Sequence, residues 1–263
     1  MKIYRYRHNN KTDYGVLKEN CLFKVIGSIY KRFKLAENGI PISETILLPP
    51  VVPSKIVAVG RNYKEHADER GRPVPEEPLL FLKPPSAVVG PDDIIIYPKM
   101  SKRVDYEGEL ALIIKKKIGH LSEEDDVLSY ILGYTCFNDV TARDLQDKDG
   151  QWTRAKSFDT FAAVGPCIAT GLDPEKIRLK TFLNGKLRQS GNTQSFIFPV
   201  PELVRFISNV MTLFPGDIIT TGTPSGIGPM NPGDMVDVQI EGIGTLTNKV
   251  MRTHSSEKYH FKA

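Results

Sequence analysis

The sequence predicts a protein that is mainly β with a few short helices, and that begins with a small β-rich unit. Runs of β-branched and aromatic residues with alternating polarity recur along the chain, which is typical of strands. The 21 Gly and 19 Pro residues interrupt these runs often, as many short strands joined by turns require. Only a few segments have the spacing of a helix.

Length and composition limit the class of protein. The 263 residues indicate one large domain, or one domain with a small appendage. A hydrophobic content of 40% and a charged content of 25% are ordinary for a soluble globular protein with a core. The net charge of +4 comes from well-mixed signs, so no nucleic-acid partner is expected. No apolar run has the length of a membrane helix, so no membrane partner is expected either.

The N-terminus and the cysteines indicate a cytoplasmic protein. Residues 1–5 do not resemble a signal peptide. Cys21, Cys136 and Cys167 are odd in number, widely spaced and without a CxxC pair. This usage fits a reducing compartment, and it argues against a disulfide framework and against a zinc site.

The first 50 residues are expected to form the small β-rich unit. Strands are predicted at 3–7, 14–17 and 21–26, with a turn between the first two. No residue there offers catalytic chemistry, so we expect the unit to serve packing or dimerisation. The proline-rich connector at 48–53 is incompatible with a helix and is the predicted boundary, so a second domain is expected over residues 54–263.

After a buried strand, the segment Asn62–Glu69 is predicted to be a short helix that Gly71 and Pro73 end. His66 and Glu69 lie three residues apart and therefore reach each other on one helical face. A carboxylate beside an imidazole fixes its tautomer and raises its basicity, so this pair is a candidate general base. A surface helix with incidental charges is the alternative. The helix has few apolar anchors, so we expect it to order only when substrate binds.

The segment Val104–Ile114 is predicted to be one strand. Residues two apart on a strand share a face, so Asp105, Glu107 and Glu109 are expected to point the same way. Gly108, on the opposite face, leaves room for a neighbouring backbone. Carboxylates on a buried strand need a compensating cation, which indicates a site for a hard divalent metal, Mg²⁺, Mn²⁺ or Ca²⁺. A solvated acidic edge strand is the alternative.

A third carboxylate is expected at the same site. Asp139 follows an apolar strand at 133–137, and we expect it to converge on Glu107 and Glu109. The polar residues after it are not an EF-hand calcium loop, because Leu145 stands where the first ligand would be.

Two lysines are candidates for binding an anion. Lys83 ends an apolar strand, where snorkelling of the side chain to the surface is the alternative. Lys156 lies among aromatic residues, where a partly desolvated ammonium can hold an oxyanion. An ion pair from Lys156 to Asp159 or Asp144 is the alternative.

The other elements follow from local signals. A helix capped by Ser122 is predicted to run to about Ile131. The Asn184-Gly185 pair predicts a hairpin with a type I′ turn, and an amphipathic helix is predicted at 202–208. Two closing strands are predicted at 236–240 and 244–248.

A glycine-rich loop at 222–228 follows a strand. It lacks the Lys-Ser/Thr ending of a P-loop and contains no GxSxG, so neither a phosphate-binding loop nor a hydrolase elbow is indicated. Its backbone N–H groups and the Thr223 hydroxyl are candidates to bind a carboxylate. A tight turn between strands is the alternative.

The motifs agree in order and spacing with those of a known family. They are Gly60–Tyr63 with His66 and Glu69, Phe81–Pro84, Tyr106–Leu110, Asn138–Gln146, Lys156–Asp159 and Thr221–Pro224. Together they resemble the fumarylacetoacetate hydrolase superfamily over roughly residues 55–250. The resemblance implies a mixed β-sandwich roll, and it implies a homodimer, because members of the family are usually dimeric.

The resemblance also implies roles for the site residues. The implied ligands of Mg²⁺ or Mn²⁺ are Glu107, Glu109 and Asp139. Lys156 would lie beside the metal, and the pair His66–Glu69 would lie on a helix that orders over the substrate. The residues at matching positions around the substrate are Arg61, Lys83, Gln146 and Thr223.

The chain departs from the family pattern in two places. Its N-terminal unit is far shorter than that of full-length fumarylacetoacetases, so fumarylacetoacetate is not the expected substrate. Segment 160–166 differs from the more usual version, which carries a Cys-Pro pair. The organisation resembles small bacterial members known as acylpyruvate hydrolases, oxaloacetate decarboxylases or tautomerases, and 2-hydroxyhepta-2,4-diene-1,7-dioate isomerases.

The expected function is that of a metal-dependent hydrolase that cleaves a C–C bond in an acylpyruvate-type 2-oxo acid through a metal-bound enolate. Decarboxylation or isomerisation of a 2-oxo dicarboxylic acid uses the same enolate and is the alternative. A more distant alternative is a metal-stabilised binding protein, which would have no need of the His66–Glu69 pair.

Overall fold

A computed structural model describes residues 1–252 of the chain, so the C-terminal end of the predicted domain 54–263 lies outside the described residues. The described chain is mainly β-structure with a few short helices, as predicted. No helix in this part of the chain is both long and apolar enough to cross a membrane.

The strands are short and follow one another closely along the chain. They are β1 (Lys2–His8), β2 (Lys11–Lys18), β3 (Cys21–Ile26), β4 (Lys34–Pro41), β5 (Ile46–Leu47), β6 (Ile56–Gly60), β7 (Leu79–Lys83), β8 (Val88–Val89), β9 (Ile94–Ile96), β10 (Val104–Tyr106), β11 (Gly108–Ile114), β12 (Ile131–Asp139), β13 (Thr141–Ala142), β14 (Ala162–Ala169), β15 (Arg178–Leu183), β16 (Lys186–Asn192), β17 (Ile218–Thr220), β18 (Gly228–Met230), β19 (Met235–Ile240) and β20 (Gly244–Met251). The α-helices are α1 (Lys64–Glu69), α2 (Arg143–Asp149), α3 (Thr153–Lys156) and α4 (Val200–Val210).

Most strands belong to one large mixed sheet. Its order is β4-β3-β2-β1-β14-β12-β11-β17-β6-β7, with β5 beside β1 and β8 beside β14. Strand β17 runs parallel to β6, whereas β11 pairs antiparallel with both β12 and β17. The N-terminal strands join this sheet through β1, where Lys2 lies opposite Ala169 and Ile3 opposite Ile168. The division at residue 50 stays a prediction.

A second sheet covers the middle of the first and completes the predicted mixed β-sandwich. It has the order β16-β15-β19-β20-β9, and its strands β15, β19 and β20 contact β11, β12 and β14. Side chains of β11 alternate between two cores: Leu110 and Leu112 pack in the core shared with the second sheet, and Ala111 and Ile113 pack on the opposite face. The large sheet is therefore covered on both faces, which is why β11 is apolar almost throughout.

The segment Val104–Ile114 is not one strand, contrary to our prediction. Strand β10 pairs with β13 and β18 in a small third sheet, and β11 lies in the large sheet. The chain changes partners at Glu107, whose N–H donates to the Asn138 side chain at 3.0 Å and whose carbonyl accepts from the Asp139 N–H at 2.8 Å. Periodicity alone does not reveal such a break, because both halves keep strand composition.

The helix predicted from Ser122 to Ile131 is also wrong. The segment forms turns and one short 3₁₀ turn, Val127–Tyr130. The Asp125 carboxylate accepts the Ser122 N–H and the Ser122 hydroxyl, both at 2.8 Å. Such local side-chain bonds compete with helix formation.

The hairpin and the second predicted helix are confirmed. Asn184 and Gly185 have φ values of 52° and 73°, as a type I′ turn requires, and they join β15 to β16. Helix α4 extends the predicted 202–208 segment at both ends and buries Leu203, Val204 and Ile207 against the main core.

Candidate active site

A cavity of about 320 Å³ lies between the strands β6, β7, β11 and β12 and the helices α1, α2 and α3. Most of the residues selected from the sequence line it. They are Arg61, His66, Glu107, Glu109, Asp139, Gln146, Lys156 and Thr223. Two selected residues do not line it: Glu69 lies behind His66, and Lys83 lies behind Asp139.

The floor of the cavity consists of three carboxylates. Glu107, Glu109 and Asp139 are all buried, and one ligand oxygen of each lies within 4.8 Å of the others. The backbone brings them together, because Gly108 lies opposite Asn138 in the β11–β12 pair. Asp139 is thereby next to the point where the chain leaves β10 for β11.

Cations neutralise two of these carboxylates. The Lys156 ammonium lies 2.8 Å from Glu107 Oε2 and 2.6 Å from Asp139 Oδ2. Arg143 donates to the other oxygen of Glu107. Burial would raise the pKa of Glu107, but the charges of Lys156 and Arg143 overcome it and hold the pKa well below its usual range. The predicted alternative, a Lys156 pair with Asp159 or Asp144, is not formed.

Glu109 has no cationic partner among residues 1–252. Its Oε2 accepts the Gly222 N–H, at 2.9 Å. Burial raises its pKa well above the usual range, and the neighbouring charges of Asp139 and Glu107 raise it further. The floor therefore lacks positive charge at Glu109, and it presents only carboxylate oxygens. This donor set fits a hard divalent cation such as Mg²⁺ or Mn²⁺.

Asp105, the third acidic residue of the predicted strand, lies outside this group. Its oxygens are bound by Arg103 at 2.9 and 3.1 Å and by Arg143 at 2.9 Å. Asp105 holds the Arg143 guanidinium in place, and Arg143 also donates to Glu107. Asp105 therefore acts on the floor of the cavity only indirectly, through Arg143.

Lys83 is fully buried instead of snorkelling to the surface. Its ammonium lies 2.5 Å from Asp139 Oδ1 and 3.2 Å from the Val140 carbonyl. Burial lowers its pKa to about 8, although the Asp139 charge opposes the shift. The structure thus places Lys83 against a floor carboxylate and not against the cavity.

The His66–Glu69 pair lies on α1 as predicted. His66 Nδ1 is 3.2 Å from Glu69 Oε2, and the other oxygen of Glu69 accepts the Gly226 N–H at 3.0 Å. The Gly226 carbonyl accepts the Tyr106 hydroxyl at 3.0 Å, which links this loop to β10. Burial lowers the pKa of His66, while the charges of Glu107 and Glu69 oppose the shift, so the imidazole is neutral near pH 7.

Helix α1 itself buries only one apolar side chain, Ala67, as expected, but the residues just before it anchor its beginning. Tyr63 and Ala67 are buried, and Tyr63 stacks edge-on against Phe196 at 5.0 Å. The Asn62 side chain donates to the carbonyls of Phe198 and Thr221 at 3.1 and 2.9 Å, and its oxygen accepts the Phe198 N–H at 2.8 Å. The beginning of the helix is therefore fixed to the core.

Sequence reasoning missed two residues that hold this site. Arg143 binds Gln146 as well as Glu107 and Asp105. Its position beside the acidic motif was an available signal. Gln189 gave no signal, because it comes from the distant strand β16; it accepts the Gly108 N–H at 3.0 Å and donates to the Thr223 hydroxyl at 2.8 Å.

The sequence was compared with profiles of known families. The profile described as fumarylacetoacetate (FAA) hydrolase C-terminal matches residues 55–251. The match includes every residue selected for the site and excludes β1–β5.

Relatives and solved structures agree with this match. Oxaloacetate tautomerase Fahd2a, a mitochondrial protein of Rattus norvegicus, is 41% identical over 224 residues, which cover 81% of this chain and 71% of the rat protein. The structure of 5-carboxymethyl-2-hydroxymuconate delta-isomerase from Mycobacterium smegmatis has a TM-score of 0.90 and 39% identity, covering 96% of this chain and all of that one. The 2-hydroxyhepta-2,4-diene-1,7-dioate isomerase from Mycobacterium marinum has a TM-score of 0.89 and 40% identity, covering 97% of this chain and all of that one.

Proposed function

Because the chain belongs to the fumarylacetoacetate hydrolase family, we propose that it is a divalent-metal-dependent enzyme acting on a small 2-oxo acid at the carbon beside the keto group. The observation that carries the proposal is the meeting of two groups at one cavity. Three buried carboxylates form its floor, and a neutral histidine oriented by a glutamate faces it. A binding protein that only needed a metal would have no use for the second group.

The metal would be held by Glu107, Glu109 and Asp139. When bound, Mg²⁺ or Mn²⁺ supplies a Lewis acid that polarises the keto group of the substrate. Lys83 and Lys156 orient the Asp139 carboxylate through contacts at 2.5 and 2.6 Å. Lys156 also adds positive charge where the substrate develops negative charge.

His66 is the proposed acid–base group. Its Nδ1 faces Glu69, so a proton there leaves the lone pair of Nε2 free to accept a proton from the substrate carbon or from water. Glu69 favours this tautomer and stabilises the protonated imidazole that follows. Substrate contacts are proposed for Arg61, Gln146 and Thr223, which line the same cavity.

A proton shift between keto and enol forms is the reaction that we favour. It needs only one base at the carbon beside the keto group, and the named activities of the three relatives are a tautomerase and two isomerases. This reverses the order of our sequence-based expectation, in which C–C hydrolysis came first. Hydrolysis of an acylpyruvate remains the second candidate, because a neutral His66 backed by Glu69 can also deprotonate water. A homodimer is proposed on the family resemblance.

The test is a comparison of substrates in the presence of Mg²⁺ or Mn²⁺. Oxaloacetate enol, a 2-hydroxymuconate-type diene and acetopyruvate are supplied separately, and tautomerisation and cleavage are followed by absorbance. We expect metal-dependent loss of the enol, abolished in Asp139→Asn and reduced in His66→Gln. Cleavage of acetopyruvate without enol tautomerisation would contradict the preferred reaction. No metal-dependent turnover of any of the three would contradict the proposal as a whole.

A further inference from the structure

One loop contacts both functional parts of the candidate site. It spans residues 221–226, between β17 and β18. Near its beginning, the Gly222 N–H donates to Oε2 of Glu109 on the floor at 2.9 Å. At its end, the Gly226 N–H donates at 3.0 Å to Oε1 of Glu69, the carboxylate behind the proposed base. A displacement of this loop would therefore disturb a proposed metal ligand and the proposed base together.

The middle of the loop is fixed by Gln189, which comes from strand β16. Its Nε2 donates to the Thr223 hydroxyl and to the Pro224 carbonyl, both at 2.8 Å. Its Oε1 accepts the Gly108 N–H at 3.0 Å, and the Thr223 hydroxyl donates to the Gly108 carbonyl at 2.8 Å. Gln189, Thr223 and Gly108 thus close a ring of hydrogen bonds, which joins the loop to the backbone between the two floor glutamates.

The contact between the loop and β16 is buried and closely packed. Gln189 is only 1% exposed, and a buried amide whose hydrogen bonds are all formed holds a single geometry. A Cβ on Gly191 would lie 2.8 Å from Pro224, so the two backbones approach closely there. Gly226 has φ +95°, and a Cβ on it would collide with the Arg188 carbonyl. Strand β16 therefore determines where the loop lies.

The end of the loop has a separate attachment. The Tyr106 hydroxyl donates to the Gly226 carbonyl at 3.0 Å, so Gly226 is bonded both to Tyr106 and to Glu69. Tyr106 is buried and does not line the cavity. Its hydroxyl acts on the end of the loop alone, whereas Gln189 acts on the middle, between the contact with the floor and the contact with Glu69.

We propose that Gln189 is a positioning residue that sets the positions of both Glu109 and Glu69 through loop 221–226. Without its amide the loop loses two hydrogen bonds to β16, and Gly108 loses a third. The metal site and the His66 imidazole then lose their orientation together, although Gln189 does not line the cavity. This inference rests on the proposed function in one respect, namely that Glu109 binds the metal and His66 transfers the proton.

Gln189→Met tests the proposal, because it keeps the length of the side chain and removes its hydrogen bonds. Affinity for Mg²⁺ or Mn²⁺, measured by calorimetry, should fall about 10- to 100-fold, as it usually does when the partners behind metal ligands are removed. With saturating metal, kcat on oxaloacetate enol should fall by a similar factor. KM should change far less, because the residue orients the reacting groups and does not contact the substrate.

The tautomer of His66 gives a signal that needs no turnover. Nitrogen NMR of the unaltered protein should show the ring protonated at Nδ1, which faces Glu69. Gln189→Met should populate both tautomers, and His66→Gln identifies the signal among the five histidines. Tyr106→Phe should also change the tautomer ratio but leave metal affinity nearly unchanged, because it frees only the end of the loop.

Tyr106→Phe also decides the matter if Gln189→Met does not fold. An unchanged tautomer ratio in Tyr106→Phe would overturn the connection between the loop and the base. A Gln189→Met protein that is less stable but keeps its metal affinity and its tautomer would overturn the positioning role, since the amide would then serve stability alone.

Asn248→Leu is the matched control. Asn248 is also 1% exposed, and its amide donates to the carbonyls of Gly90 and Asp93 at 2.9 and 2.8 Å, away from the cavity. The replacement removes a buried amide of the same kind, so it should lower the melting temperature. Metal affinity, kcat and the tautomer of His66 should not change. Losses equal to those of Gln189→Met would overturn the proposal, because general destabilisation would explain both.

Turnover separates this inference from the proposed function. Lost metal affinity and a mixed tautomer in Gln189→Met, in a protein that turns over none of the three 2-oxo acids, support the positioning role and overturn the proposed reaction. Metal-dependent turnover that Gln189→Met leaves unchanged supports the reaction and overturns the positioning role. Failure of the unaltered protein to bind Mg²⁺ or Mn²⁺ overturns both.

Discussion

Glu109 is the residue at which the charge of the site is least balanced. Lys156 forms ion pairs with Glu107 and Asp139, and Lys83 forms an ion pair with Asp139 as well. Glu109 accepts a backbone N–H from Gly222 but forms no ion pair with any residue of the described range 1–252. A buried carboxylate without a cation is unfavourable, which is why its pKa is raised. A divalent cation bound by the three carboxylates would remove this imbalance.

Replacing Asp139 by Asn tests the metal site. The amide keeps an oxygen toward Lys83 or Lys156 but loses the charge, so affinity for Mg²⁺ or Mn²⁺ should fall at least tenfold in calorimetry. Asp105→Asn is the control, because Asp105 is an equally buried acid bound to Arg103 and Arg143. Its metal affinity should change far less. Unchanged affinity in Asp139→Asn would remove this residue from the ligand set.

His66 predicts the pH dependence of the activity. Burial lowers its pKa below the ordinary value of 6.5, so the neutral base should persist down to a pH below 6.5 and be lost as it is protonated. The rate should therefore fall on the acidic side with a midpoint below 6.5. Glu69 raises the pKa of His66, so Glu69→Gln should move this midpoint to still lower pH.

Replacing the base itself supplies the control. His66→Gln should lower kcat by roughly 10² to 10⁴, the usual contribution of a general base, while Mg²⁺ affinity survives. The fall in rate on the acidic side of the pH profile should disappear with the imidazole. A variant that kept both the wild-type rate and the fall in rate at acidic pH would show that another group transfers the proton.

At the scale of elements, α1 is anchored at its beginning and held by polar contacts at its end. Asn62 and Tyr63 fix the start to the core. The end is held by the bond from Gly226 to Glu69 and by the pair of Arg70 with Asp147, both partly exposed to solvent. Exposed polar contacts are weak, so the end of the helix is the part that can respond to a ligand.

Hydrogen exchange across residues 64–72 tests this response. Oxalate with Mg²⁺ should occupy the floor as an enolate-like chelator and slow exchange at the end of the helix more than at its start. Residues 1–48 provide an internal control and should not change. Equal protection with and without oxalate would mean that α1 is already fixed and does not close over the substrate.

At the scale of the whole molecule, the site depends on close contact between the two main sheets. A Cβ on Gly108 of β11 would lie 2.1 Å from Thr181 Oγ1 of β15. We expected the neighbour to be a backbone, and it is a side chain. The Thr181 hydroxyl is buried without a hydrogen-bond partner, which is unfavourable by itself. Gly108 adjoins Glu107 and Glu109, so this contact also sets where both carboxylates lie.

Thermal unfolding of a variant pair tests the contact. Gly108→Ala should lower the free energy of unfolding by about 1–3 kcal/mol, as overpacking usually does. Thr181→Ala alone should be nearly neutral, because removing a buried hydroxyl without a partner offsets the packing lost with the methyl group. Combined with Gly108→Ala it should restore part of the loss, since the next atoms to the new Cβ lie at 3.3 Å or more. Simple addition of the two effects would contradict the steric explanation.

The sequence by itself determined the elements whose signals are local. Alternation located β1 to β3, and Asn184-Gly185 specified its hairpin, because turn chemistry and strand period act between near neighbours. The three-residue spacing in α1 brought His66 to Glu69 for the same reason. The acidic residues were recognisable as a group because Glu107 and Glu109 are two apart.

Only the tertiary structure decided how these pieces meet. The break at Glu107, the position of Lys83 behind Asp139 and the role of Gln189 all depend on partners 31 or more residues away in sequence. Asp105, which the alternation grouped with the ligands, is bound instead by its near neighbour Arg103 and by Arg143, 38 residues away. Local periodicity carries no information about which distant strand supplies a partner. The choice between metal ligand and ion pair is made by the charges that the fold brings within hydrogen-bond reach.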